Sequence, residues 1–203
     1  TSPEAISIVE KTLTDTLNPA LVEMLREFGG KAVGVPGTDV FIGERIKGIN
    51  DDGERVDIGR VGQVVGSQKE KMQEALNADI VPVISPLASE LGTGKPLNVN
   101  ADLAAAALAK DLRAAKLIYL SDVPGLMEDP SKPETLIPSI NPEKATALMA
   151  DGTISGGMIP KINSALDALN NGVDKVHFID GRQAHSLLLE IFTNSGIGTE
   201  ITN

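Results

Sequence analysis

An α/β fold, a mainly parallel sheet sandwiched by helices, is predicted from two observations. Apolar runs of strand length, at residues 31–35, 80–84, 116–120 and 176–180, alternate with stretches whose apolar residues recur at three- and four-residue steps. Alternation of this kind favours parallel strands covered on both faces. Ligands of such sheets sit beyond the C-terminal strand ends. The polar segments after Ile84 and Leu120 are therefore the first places to look for a site.

Taken in order, residues 3–28 read as a helix, with Ile6, Val9, Leu13, Leu17, Leu21, Met24, Leu25 and Phe28 at helical spacing. Ser2 before Pro3 marks its start, Gly29-Gly30 its end, and Asn18-Pro19 a kink. Its apolar stripe suits either core packing or a dimer seam. A short strand at 31–35 precedes two β-rich runs, 40–46 and 55–65, joined as a hairpin by Asn50-Asp51-Asp52-Gly53. A helix at 67–78 leads to a buried strand at 80–84. Asn98-Val99-Asn100-Ala101-Asp102 then reads as a loop delivering polar groups to a helix that reaches about Leu112.

After the strand at 116–120, residues 128–142 are rich in Pro, Ser and acids and are expected to form a surface loop. A helix at 142–150 follows, then a glycine-bearing loop, 151–160, which opens a helix to about Leu169. Pro160 suits the first helical position, placing Lys161 in the first turn. A core strand at 176–180, a helix at 183–192 and a terminal strand at 198–201 complete the chain.

Composition narrows the function. The chain has 203 residues, enough for one domain or two closely packed lobes, and no uncharged apolar run near the roughly 18 residues that span a bilayer. No membrane association is expected. There is no cysteine, and the N-terminus lacks a signal-peptide pattern, so a cytoplasmic setting is expected. A net charge of −10 repels phosphate backbones, and four Phe with one Tyr leave little for stacking bases. Nucleic acid is not an expected partner. An anionic substrate must instead meet local positive charge and backbone N–H groups.

Two places offer them. At 98–102, Asn100 fits an N-cap with Asp102 in the first turn, and the same helix N-terminus could hold an anion. A calcium loop is a poor match, because its sixth position is Leu103 rather than Gly and its twelfth is Ala109 rather than Glu. At the second place, Lys161 sits against the positive end of its helix dipole. Either an anion resolves that conflict or the lysine is simply solvated.

Four motifs in register carry a resemblance. Asn98-Val99-Asn100-Ala101-Asp102, Ser121-Asp122-Val123-Pro124-Gly125, the run from Gly152 to Lys161, and Gly196-Ile197-Gly198-Thr199 closely resemble those of acetylglutamate kinases in the amino-acid kinase family. The similarity runs from Thr1 to the C-terminus. It implies an amino-acid kinase fold with a substrate lobe at 1–113 and a nucleotide lobe at 114–203. The implied reaction is phosphoryl transfer from ATP to the side-chain carboxylate of N-acetyl-L-glutamate, in arginine biosynthesis. Mg²⁺ would ride on the ATP phosphates, with no metal held by the protein itself.

Residue by residue, the resemblance puts Asn98 and Asn100 at the acetylated amino acid and Asp102 where the catalytic lysines are oriented. Lys161 falls at the transferring phosphoryl group. Asp122, Val123, Gly125, Leu126, Thr153, Ile154 and Ser155 fall at the nucleotide. His177, Glu190 and Gly196 match an arginine-feedback site, although His177 on an apolar strand also reads as a satisfied core residue. A homodimer or larger homo-oligomer is implied.

The chemistry is consistent, since a carboxylate acceptor is ionised near pH 7 and needs no general base. The resemblance begins past the family's two glycine-rich strand ends, its first phosphate-contacting lysine and an arginine for the substrate carboxylate. The expectation is an N-terminally truncated fold with part of its sheet unpaired and turnover too slow to detect. Two further readings are another family member acting on carbamate, aspartate or uridylate, and a non-catalytic ATP- or arginine-binding fragment.

Overall fold

The computed structural model describes residues 1–129, 131–193 and 196–203. The chain divides into two compact units, Thr1–Leu112 and Arg113–Asn203. Parallel strand pairs and flanking helices occur in both.

The first unit opens with α1 (Pro3–Lys11), capped as expected: the Ser2 hydroxyl accepts from Ala5 N at 3.1 Å, and Pro3 occupies a position that needs no N–H. The expected kink takes a specific form. Thr12–Leu17 widens into a π-helical turn before α2 (Asn18–Glu27) resumes. Pro19 has no N–H to offer the preceding turn and its ring crowds that turn's carbonyl, a conflict that a wider turn relieves. Asn18 is thereby aimed inward, its Nδ2 donating to Val83 O at 2.8 Å. Core packing claims only part of the apolar stripe. Of its residues Ile6 is buried and Val9 and Leu13 are half-buried, whereas Leu17, Leu21, Met24, Leu25 and Phe28 are all exposed, Phe28 by 86%; Val22, off the stripe, is buried and Ile8 exposed.

The unit continues with β1 (Ala32–Val35), β2 (Phe41–Ile49), β3 (Arg55–Ser67), α3 (Lys69–Asn77), β4 (Val81–Ile84), β5 (Leu87–Glu90), β6 (Pro96–Val99) and α4 (Ala101–Leu112). β1 and β4 pair in parallel. They form a sheet of two strands only, so β4 is not the buried strand its sequence suggests: Val81 is 54% exposed and the rest half-buried. The hairpin of β2 and β3 is present, with Asn50 Oδ1 accepting from Glu54 N across its turn.

β5 and β6 have no counterpart among the strands expected from the sequence. Each is four residues long, and with β2 and β3 they close a small barrel. Val40, just before β2, and the strand residues Phe41, Ala88, Leu97 and Val99 form one buried apolar cluster with Met72 of α3 and Ala104 of α4.

The second unit contains β7 (Lys116–Ser121), β8 (Ser139–Ile140), α5 (Pro142–Ala150), α6 (Met158–Asn170), β9 (Lys175–Asp180), α7 (Ser186–Phe192) and β10 (Thr199–Thr202). The sheet order is β7-β9-β10-β8, with β7 parallel to β9, β10 antiparallel to β9, and β8 parallel to β10. α6 and α7 pack on β9, over a core of Phe178, Ile179, Val176 and Ile162. The expectation of a surface loop over 128–142 needs correction. Ile137 and Ile140 are buried and β8 lies within that stretch, because β10 supplies the hydrogen bonds that a lone dipeptide cannot. α7 is also shorter than expected, since His185 takes a left-handed conformation (φ 60°) immediately before it.

Thr199 of β10 locks the loop after β7. Its Oγ1 accepts from Leu126 N at 2.8 Å and donates to Ile137 O at 2.7 Å, and the side chain is fully buried. Thr199→Val keeps the shape and strands both partners. Denaturant titration should show a loss of about 2–4 kcal/mol, the cost of two unpaired buried backbone groups. Among the described residues, no helix is long and apolar enough to cross a membrane.

Candidate functional site

A cleft of about 430 Å³ lies in the second unit, between the segment that follows β7 and the loop that opens α6. Asp122, Val123, Gly125 and Leu126 line it from the first segment, and Thr153, Ile154, Ser155 and Lys161 from the second. All seven predicted nucleotide positions thus share one cleft with the predicted phosphate-contacting lysine. Ser121, Met127, Gly157 and Met158 also line it and are not among the predicted positions, although each lies within or beside a motif that is.

Local chemistry shapes both walls. A Cβ at Gly125 would come within 2.5 Å of Thr199 Oγ1, so only glycine lets the chain cross β10 this closely. In the opposite loop, Gly152 (φ 83°) and Gly156 (φ 57°) hold conformations that side chains disfavour, and nothing lies within 4 Å of either missing Cβ. Backbone is left accessible there. Asp151 Oδ1 accepts from Thr153 N at 2.9 Å, and that bond, then the Thr153 hydroxyl, holds the Asp151 carboxyl below its ordinary range.

The helix carrying Lys161 begins earlier than its proline suggests. α6 starts at Met158, so Pro160 is its third residue and Lys161 its fourth, still in the first turn. The cause is a pair of tight turn bonds, from Met158 N to Ser155 O and from Ile159 N to Gly156 O, both 3.3 Å. No acidic side chain occupies that first turn, so the lysine and the helix dipole add on the cleft side. Lys161 Nζ stands 5.8 Å from the centroid of the Tyr119 ring.

In the first unit, Asn98 and Val99 are part of β6 and not of a loop, because Asn98 is bridged to Val61 and to Leu87. Asn98 Nδ2 donates to Thr1 Oγ1 at 3.4 Å. Asn100 caps α4, its Oδ1 accepting from Leu103 N at 3.0 Å, and Asp102 lies in the first turn. The cap therefore engages the Asn100 oxygen that a ligand would otherwise meet.

The profile of the amino acid kinase family matches residues 1–180. This chain belongs to that family. It is 65% identical over 201 residues to an acetylglutamate kinase of Akkermansia muciniphila, covering 99% of this chain and 68% of that protein. Two structures of an N-acetylglutamate synthase from Neisseria gonorrhoeae are also similar. The one complexed with coenzyme A and N-acetyl-glutamate has a TM-score of 0.84 at 26% identity, over 100% of this chain and 45% of that one. The one complexed with coenzyme A and L-arginine has a TM-score of 0.71 at 30% identity, over 85% and 38%.

A third group of predicted residues in this amino acid kinase forms a buried cluster in the second unit. His177 Nδ1 lies 2.7 Å from Glu190 Oε1, while Glu190 Oε2 accepts from Ile197 N at 2.8 Å and Gly198 N at 2.9 Å. Gly196 packs against the same carboxylate, where a Cβ would stand 2.7 Å from Oε2. Burial pushes the Glu190 carboxyl up, but the Ile197 N–H, His177 and the Gly198 N–H outweigh it, and the net shift is downward. An ionised Glu190 requires the proton on Nδ1 of His177. Nε2 is buried without a hydrogen-bond partner, 3.7 Å from Glu200 Oε2, which is itself paired with Lys175.

Proposed function

We propose that this amino acid kinase phosphorylates the side-chain carboxylate of N-acetyl-L-glutamate, forming an acyl phosphate for arginine biosynthesis. The observation that carries the reading is the meeting of two motifs, some thirty residues apart, on one cleft with Lys161. The cleft suits a nucleotide: Leu126, Met127, Ile154 and Met158 offer apolar contact, and the bare backbone at Gly156 and Gly157 admits phosphates. Bound ATP supplies the phosphoryl group and carries Mg²⁺ on its phosphates.

Lys161, with the α6 N-terminus, neutralises charge on the phosphoryl group in transit. Asp102 serves as the orienting carboxylate, and the Asn98 amide reads polar groups of the amino-acid substrate, with Asn100 holding the start of α4. In this reading residues 1–113 are the substrate lobe and 114–203 the nucleotide lobe. No base is required, because the acceptor is already a carboxylate.

The test is acceptor selectivity in a chain extended to the length of the Akkermansia relative. N-acetyl-L-glutamate should support ADP release from MgATP, and hydroxylamine should trap the product as a hydroxamate. Release driven by carbamate, aspartate or uridylate instead would assign another acceptor, and nucleotide binding without release would leave a binding module.

The exposed apolar side chains of α1 and α2 support a two-fold dimer through those helices. Sedimentation should give a dimer at micromolar concentration, and a monomer would remove that reading. The arginine-bound synthase similar to this chain supports a regulatory role for the cluster of His177, Glu190 and Gly196. Millimolar arginine should raise the thermal midpoint, and no rise would count against feedback.

A further inference from the structure

Tyr119 has no part in the reading above, yet its surroundings tie it to Lys161 by two routes. It is buried in β7, stacked on Phe178 of β9 with centroids 5.0 Å apart and planes inclined by 14°. The stacking fixes the ring, and its phenolic oxygen lies 2.8 Å from Ser164 Oγ. Ser164 donates its single hydroxyl proton to Lys161 O at 2.9 Å, so the phenol must be the donor to Ser164. One route therefore runs from Tyr119 O–H through Ser164 to the Lys161 carbonyl. The other is the ring, with Lys161 Nζ 5.8 Å from its centroid, within the range at which an aromatic quadrupole attracts an ammonium group.

We infer that Tyr119 is a positioning residue for Lys161, holding both the ammonium end and the backbone of that lysine at the mouth of the nucleotide cleft. The consequence for nucleotide binding rests on the phosphate-contacting role proposed for Lys161. A lysine side chain has four rotatable bonds and is strongly hydrated. A fixed aromatic face beside a helix N-terminus narrows where its charge can stand. A lysine so placed meets the terminal phosphate of ATP more favourably than the shorter chain of ADP.

The test uses the 203-residue chain with ¹³C-labelled lysine, Lys161→Arg identifying the Lys161 signals. Ring current should move the Lys161 Nζ-adjacent methylene upfield of the other lysines. Tyr119→Leu should return it to the ordinary position, whereas Tyr119→Phe, which keeps the ring and loses the hydroxyl, should leave it upfield. By calorimetry, the preference for MgATP over MgADP should fall roughly 2- to 5-fold in Tyr119→Leu, the scale of one cation–π contact, and stay near the parent's in Tyr119→Phe.

A methylene at the ordinary position in the parent protein overturns the inference, as does one unmoved by Tyr119→Leu. If Tyr119→Leu does not fold, the parent signal decides alone. If neither nucleotide binds, the functional proposal fails while the spectrum still decides the role of Tyr119.

Discussion

Lys161→Ala, in a chain extended to the length of its Akkermansia relative, is expected to lower kcat by about 10²- to 10³-fold with little change in KM for N-acetyl-L-glutamate. The magnitude is that of removing one preorganised donor aimed at developing charge. Lys161 is preorganised by its place in the first turn of α6, in a turn without acidic side chains, and by the Tyr119 ring beside it. In the role proposed for it, its charge acts on the phosphoryl group and not on the acetylated amino acid, so the loss should fall in the chemical step. Asn98→Ala should show the opposite split, raising KM roughly tenfold through the loss of one amide hydrogen bond while kcat changes less. Steady-state kinetics on the two variants separates the roles. A Lys161→Ala enzyme with raised KM and parental kcat would contradict them.

The second large effect is on stability. Glu190→Ala removes the acceptor for Ile197 N, Gly198 N and His177 Nδ1, all within a buried cluster. Leaving these three donors without an acceptor should cost about 3–5 kcal/mol, at roughly 1–3 kcal/mol for each one that stays unpaired. The pH dependence has a definite sign. The folded carboxyl titrates below its ordinary value of 4.5, so the unfolded chain binds the proton more tightly. The contribution of Glu190 is therefore present in full above that value and disappears as pH falls through the folded one. Urea titrations should show the parent losing this increment on acidification, and the Glu190→Ala variant should have a correspondingly flatter profile below pH 4.5. Parallel profiles would show that Glu190 is not ionised in the fold.

Features fixed by local chemistry are legible in the order of the residues alone. Ser2 and Asn100 cap the helices they precede, and the strands at 116–120 and 176–180 are where their apolar runs put them. Features fixed by distant partners are not. β5 and β6 are too short and too polar to announce themselves, and exist because β2 and β3 offer edges on which to close a barrel. Residues 128–142 look solvated by composition, yet Ile137 and Ile140 are drawn inward by β10 and Thr199. The π turn in the first helix hides behind a proline that promises only a kink.

At the candidate site, two of the four motifs, Ser121–Gly125 and Gly152–Lys161, name most of the residues that line the cleft, because each is one contiguous loop. The tie from Tyr119 to Lys161 joins residues far apart in the chain, through a ring whose neighbours no spacing reveals.

On the proposed function, the second unit holds a nucleotide in the cleft between residues 121–127 and 153–161. Titrating the ¹⁵N-labelled chain with MgATP tests it most directly. Saturable amide shifts should concentrate at Asp122, Gly125, Leu126, Ser155, Gly157 and Lys161, and should weaken in Lys161→Ala. Saturation with the shifts centred elsewhere in the chain, or no saturable response at millimolar MgATP, would contradict it.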